Sequence, residues 1–250
     1  MTYHLTAHPE SRLSLKILAH KIRRYLPKVY EGLLRLRYRM FRRQCRDVST
    51  PHIVYSDGSW VARKTTPDLL RIQTFLQQQP YPLSVLQVGI GNSSLYAAIG
   101  DHCRRFIGIT VMDDECKYAR QIFPTEYGNR YDVRLMNKYA PDIMQLGDGF
   151  DFIVDNDLSS YACCHRHFSD LLTCYARMLA PHGSVLIGLD GLGYFDSGFG
   201  LTPDLIQVLA LEHGLVFESG SDFHRLRRAV DLPEIRLVGR VGLEPTTTPL

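Results

Sequence analysis

Residues 84–100 read SVLQVGIGNSSLYAAIG, and their reading decides the fold. A short apolar run, Ser84–Val88, meets Gly89, Ile90 and Gly91, and from Leu95 the text becomes Leu-Tyr-Ala-Ala-Ile. That order reads as strand, tight turn and helix. Glycines at such a turn permit positive φ and let main-chain N–H groups approach a ligand closely. The start of the helix adds unpaired donors and a partial positive charge. A dinucleotide cradle prefers a third glycine at the sixth position of the motif. This chain has Ser94 there, which disfavours a nicotinamide oxidoreductase.

On the C-terminal side, short apolar runs at 105–110, 131–136, 151–155 and 184–189 alternate with helical spans, clearest at 114–122 and 166–179. Strands alternating with helices predict a doubly wound, mostly parallel α/β sheet. Two further runs, 215–219 and 234–240, predict an antiparallel pair at the sheet edge. On the N-terminal side, "TTPDLLRIQTFLQQQ" predicts a helix with Thr66 as N-cap and Pro67 at its first position.

Ahead of that helix lies an arm of another kind. Residues 12–46 hold twelve Lys/Arg and the single acid Glu31, a charge of +11, so the rest of the chain carries −8 against the net +3. Leu15, Leu18, Ile22, Tyr25, Val29, Leu33, Leu36 and Met40 recur at steps of three and four, one apolar stripe on a helix that Pro27 interrupts. The organisation expected is a basic helical arm over 1–50, an α/β domain over 51–240 and an unstructured tail over 241–250. The arm suits docking on the body, a homodimer contact through 12–46, an anionic membrane surface or nucleic acid.

The 45% hydrophobic and 22% charged composition is that of a globular protein. No run approaches the roughly 18 apolar residues of a membrane helix. The N-terminus lacks the pattern of a secretory signal. Six cysteines form no CxxC pair, so reduced thiols and a cytoplasmic location are expected.

The motif "VLQVGIGNSSL" resembles the first motif of class I S-adenosylmethionine-dependent methyltransferases. "FDFIVDNDLSSY" resembles that family's fourth strand and the loop beyond it, and "LLTCYARMLAPHGSVLIGLD" its next helix, turn and fifth strand. The resemblance spans about 67–240. It implies a Rossmann-like seven-stranded methyltransferase fold with an N-terminal helical arm, and S-adenosylmethionine as cofactor, held by Gln87, Gly89, Gly91, Asn92, Ser93, Thr110 and Asp113. The family usually has acids at the places of Gln87 and Thr110, and Asp113 or Asp114 lies close enough to the second to reach in. Within the family, "PDLLRIQTFL", "DND…SY" and "GLD" look like the cephalosporin-hydroxylase-like and catechol-O-methyltransferase-like branches. Those branches imply a divalent cation such as Mg2+ on Asp155 or Asp157, with Asp190, orienting a substrate hydroxyl. Here Gly191 follows Asp190 where the catechol branch has Asn.

The function expected is O-methylation of a small-molecule acceptor, with Asp155, Asp157 and His165 as catalytic candidates. His165 or His167 suits a general base beyond the fourth strand. The alternatives are a binding module on the same fold that has lost catalysis, and a nucleic-acid methyltransferase recruited by the arm. Asp155-Asn156-Asp157 lacks the Pro-Pro-aromatic that base-methylating enzymes usually show, which argues against the last. "YACCHRHF" (161–168) lacks paired metal-ligand spacing. "GLGYFDSGFG" (191–200) reads either as a lid over substrate or as a plain connection.

Overall fold

The first strand, β1 (Leu83–Val88), is buried from Leu83 to Gln87 without alternation, as a strand covered on both faces must be. The computed structural model of the 250-residue chain describes residues 60–162, 164–192 and 201–231, with isolated positions 26, 28, 29, 32, 33, 36 and 58. In chain order the elements are α1 (Pro67–Gln77), β1, α2 (Ser94–Ile99), β2 (Cys103–Thr110), α3 (Asp113–Ile122), β3 (Tyr131–Leu135), β4 (Phe150–Asp155), α4 (His165–Met178), β5 (Leu179–Ile187), α5 (Pro203–Glu212), β6 (Leu215–Glu218) and β7 (His224–Arg228).

They form one seven-stranded sheet in the order β3-β2-β1-β4-β5-β7-β6. The first five strands pair in parallel, and β7 runs antiparallel to both β5 and β6. Neighbouring residues of one strand feed opposite layers, as the two-residue period requires. Leu86, Ile107, Ile153 and Val185 join α4 and α5 on one face, whereas Val85, Phe106, Val154 and Leu186 join α1 and α2 on the other. The doubly wound, mostly parallel sheet expected from the alternating pattern is the observed one.

Helix α1 begins where its text says. The Thr66 hydroxyl accepts from the Leu69 amide at 3.3 Å, and Pro67 follows at the position that needs no N–H. Its far side is tied to α2, because Gln73 and Gln77 donate to the carbonyls of Ser94 and Ala98.

The edge strand differs from the sequence expectation. The partner of 215–218 is 224–228, "HRLRR", and the expected strand at 234–240 lies outside the described residues. A search for apolar runs passes over a segment with three arginines. In the structure Leu226 and His224 face inward, and the Arg225 guanidinium lies 4.6 Å over the Phe75 ring, so its stem covers apolar surface. Residues 193–200 of the lid candidate at 191–200, Cys163, the 241–250 tail and most of the arm also lie outside the described residues. Of the arm, Lys28, Val29, Gly32, Leu33 and Leu36 are helical and, with Leu26, exposed.

Among the described residues, no helix is long and apolar enough to cross a membrane. One packing contact fixes the turn after β1 from below. The Ile90 side chain, 2% exposed, sits against Gly108 of β2, where an added Cβ would lie 2.5 Å from Ile90 Cγ2. Gly108→Ala is expected to cost about 1–3 kcal/mol through overpacking. A lower urea midpoint at unchanged slope would show it, and an unchanged midpoint would refute it.

Candidate functional site

The turn after β1 is bent by three successive left-handed conformations, at Gly89 (φ 75°), Gly91 (φ 51°) and Ser93 (φ 60°). Glycine takes this conformation freely, but for serine it carries strain of roughly 1–3 kcal/mol. The surroundings hold Ser93 in place. It is fully buried, and its hydroxyl oxygen accepts from the Tyr131 hydroxyl at 3.0 Å. Tyr131 is stacked on Tyr96 with ring centroids 4.0 Å apart, and Phe106 and Phe123 stand edge-on to it. Burial holds its phenol protonated and so a donor. Asn92 points the other way. Its amide donates to the carbonyls of Val61 and Arg63, lashing the chain ahead of α1 over the turn.

A cavity of about 310 Å³ opens at the carboxyl ends of β1, β2, β3 and β4. This is where open α/β sheets bind ligands. Of the residues expected to hold a cofactor, Gln87, Gly89 and Thr110 line it. Gly91, Asn92 and Ser93 shape the turn beside it. An added Cβ would meet nothing within 4 Å at Gly89 or Gly91, so the bend is open rather than filled. Gln87 is 2% exposed; its amide donates to the Gly89 carbonyl at 3.0 Å, while its Oε1 has no partner among the described residues. A buried acceptor left bare is costly unless a donor arrives.

The acid beside the end of β2 is Glu115. Asp113 and Asp114 point outward and meet Lys117, at 2.7 Å and 3.6 Å. Glu115 is buried, lines the cavity and accepts from the Thr110 hydroxyl at 2.5 Å and from the Gly91 amide. Burial raises its carboxyl pKa, and these two hydrogen bonds oppose the rise. The sequence carried a signal for this residue. In a helix starting at Asp113, Glu115, Cys116 and Ala119 share the inward face.

The opposite wall follows β3 and β4. After β3 the chain folds over the ends of β2 and β1, and Asn137–Ala140 are each at most 5% exposed. Lys138 reaches the end of β4. Its ammonium lies 3.0 Å from both oxygens of Asp155, 2.9 Å and 3.0 Å from the carbonyls of Asp157 and Leu158, and 3.1 Å from the Ser160 hydroxyl. The Tyr175 hydroxyl donates to Asp155 at 2.9 Å. Burial lowers the Lys138 pKa and Asp155 opposes that, while burial and the Asp155 charge push the Tyr175 phenol up. Asp157 lines the cavity. Burial and then Asp155 raise its carboxyl pKa, against Lys138 and the Asn156 amide. His165 opens α4 and is not among the residues lining the cavity.

The cofactor and the metal fare differently. The bare Gln87 oxygen, the open turn and the inward Glu115 fit the amino-acid and ribose ends of S-adenosylmethionine. A divalent cation on Asp155 and Asp190, the pair expected to hold it, finds no fit among these residues. Both Asp155 oxygens face a lysine ammonium, and Asp190 is exposed, only its main-chain N–H reaching inward, to Asp68 at 3.2 Å. Among the described residues no three His, Cys, Asp or Glu gather as a metal site.

No protein-family model matches the chain, and no curated protein matches it. Among solved structures it is similar to a TehB-like S-adenosylmethionine-dependent methyltransferase from Corynebacterium glutamicum, at 18% identity and a TM-score of 0.47, covering 68% of this chain and 90% of that one. It is also similar to the N-methyltransferase NodS from Bradyrhizobium japonicum in complex with S-adenosyl-L-homocysteine, at 17% identity and a TM-score of 0.49, covering 66% and 91%.

Glu115→Gln is expected to weaken binding of S-adenosyl-L-homocysteine by about tenfold or more, the loss of one charge-assisted hydrogen bond. Asp113→Ala is expected to leave it unchanged. Calorimetry in which Asp113 mattered and Glu115 did not would reverse the assignment. The sheet order, with its reversed strand β7 beside β5, gives the chain a doubly wound, mostly parallel α/β fold.

Proposed function

We propose that the chain is an S-adenosylmethionine-dependent methyltransferase acting on an oxygen of a small polar acceptor. The observation that carries this reading is one cavity with two unlike walls. Gln87 and Glu115 offer bare or charged acceptors on one side, and the half-buried Asp157 carboxylate stands on the other. The volume falls in the range of small-molecule sites.

When bound, the cofactor supplies an electrophilic methyl on a sulfonium. Gln87 Oε1 accepts from its ammonium, and Glu115 accepts from its ribose hydroxyls. Asp157 accepts the proton of the acceptor hydroxyl, and its raised pKa makes it the stronger base. The rest is alignment, which fixed walls supply. Glu115 stands beside Thr110 and accepts from its hydroxyl, which supports an acid acting at that place. The arm that would favour nucleic acid lies largely outside the described residues.

Calorimetry tests the reading first. Binding of neither S-adenosylmethionine nor its demethylated product at millimolar concentration would end it. Asp157→Asn tests the chemistry, and methyl transfer is expected to fall by about 10²-fold or more with product binding retained. Stability should move the other way. The folded pKa of Asp157 lies above its unfolded value, so the native protein loses stability as pH rises through the window between them. Asp157→Asn should therefore melt no lower than the native protein at pH 8, with its relative advantage shrinking to nothing below about pH 4. A lower melting point for the variant at pH 8 would contradict this account of Asp157.

A further inference from the structure

The buried cluster around Lys138 is built like a cation site whose cation is part of the chain. An ammonium has three N–H donors. Five oxygens surround this one at 2.9–3.1 Å: two from Asp155, the carbonyls of Asp157 and Leu158, and the Ser160 hydroxyl. More acceptors than donors crowd a single positive centre, as in the oxygen shells of hard metal ions. The side chains of Lys138 and Asp155 are 3% and 2% exposed, so water does not compete. One carboxylate and one ammonium leave the shell neutral. Tyr175 satisfies Asp155 further. A buried pair this complete has no charge left over for a divalent ion.

We infer that the ammonium of Lys138 is the resident cation of the β4 carboxylate, permanently filling the place a dissociable metal would need and pinning residues 157–160 as the cavity's acceptor-side wall. This goes beyond the proposed methyl transfer and does not depend on it, because the shell is complete without any ligand. Lys138 is a positioning residue. It acts through Asp157 and Ser160, both of which line the cavity. The shell radius also predicts what could replace it. Oxygens near 3 Å must contract by about 0.5 Å to hold Ca2+, and by nearly 1 Å to hold Mg2+, which in addition demands strict octahedral geometry. Calcium is therefore the probe for a vacated shell.

The experiment compares thermal melting in chelator, in millimolar CaCl2 and in millimolar MgCl2 for the native chain, Lys138→Ala, Lys138→Met and Lys138→Ala/Asp155→Asn. The native chain should melt at the same temperature in all three. Lys138→Ala should melt at least about 4 °C lower in chelator and regain part of that loss in calcium, with less regained in magnesium. Lys138→Met, whose thioether fills the shell, and the double variant should not respond to calcium. A merely structural lysine would give a loss that no ion restores, so a folded Lys138→Ala indifferent to calcium overturns the inference. If Lys138→Ala does not fold, the native chain decides. Calorimetric silence toward calcium and magnesium supports the inference, and one divalent ion bound and lost in Asp155→Asn overturns it.

Discussion

The turn after β1 depends on one hydrogen bond made in a dry place. Ser93 stays in a left-handed backbone because the Tyr131 hydroxyl reaches it from β3, across the sheet layer. The aromatic group of Tyr96, Phe106 and Phe123 holds that hydroxyl still. Below the turn, Ile90 is seated on the bare Gly108. Above it, Asn92 holds the incoming chain. With Ser93 and Ile90 fixed, Gly91 between them presents its amide to Glu115, while the Gly89 amide stays tied to the Ile109 carbonyl. Strain at the ligand end of the sheet is thus balanced by packing further in, a common arrangement at binding sites.

The two walls of the cavity solve opposite electrostatic problems. On the Glu115 side a buried carboxylate receives hydrogen bonds but, among the described residues, no counter-ion, so it keeps an appetite for donors. On the Lys138 side a buried carboxylate is fully matched and has no appetite left. Asp157 sits between them, close enough to Asp155 to feel its charge and to Lys138 to be partly relieved of it. A substrate entering this cavity meets a set of oxygens, only some of which are satisfied.

How much of this was readable from the text varies by residue. β1, β2, β4 and β5 were legible because each holds an apolar run covered on both faces, and the edge strand β3 because Tyr131, Val133 and Leu135 alternate with charges. The start of α1 was legible because Thr66 and Pro67 act locally, within one turn. β7 was not, since its arginines bury their stems against aromatic rings that only the fold brings near. Glu115 was missed because a motif fixes the place of an acid along a strand, whereas helix phase decides which acid faces inward. Lys138 had no signal at all. "MNKYAPD" reads as an ordinary polar loop, and its partner stands 17 residues on, beyond another strand. Local rules carry cores and caps, but a side-chain network between distant loops waits for topology.

The strap at 60–66 also makes the protein its own optical probe. Trp60 is the single tryptophan of the chain, 9% exposed, and stands edge-on to Tyr118 of α3 with ring centroids 5.4 Å apart. The residues just after it are the ones Asn92 holds, and Arg63 lines the cavity. Indole emission therefore originates three residues from Arg63, on the strap beside the cavity, with no other indole to dilute it. A change at that strap is written into the fluorescence of the unlabelled molecule.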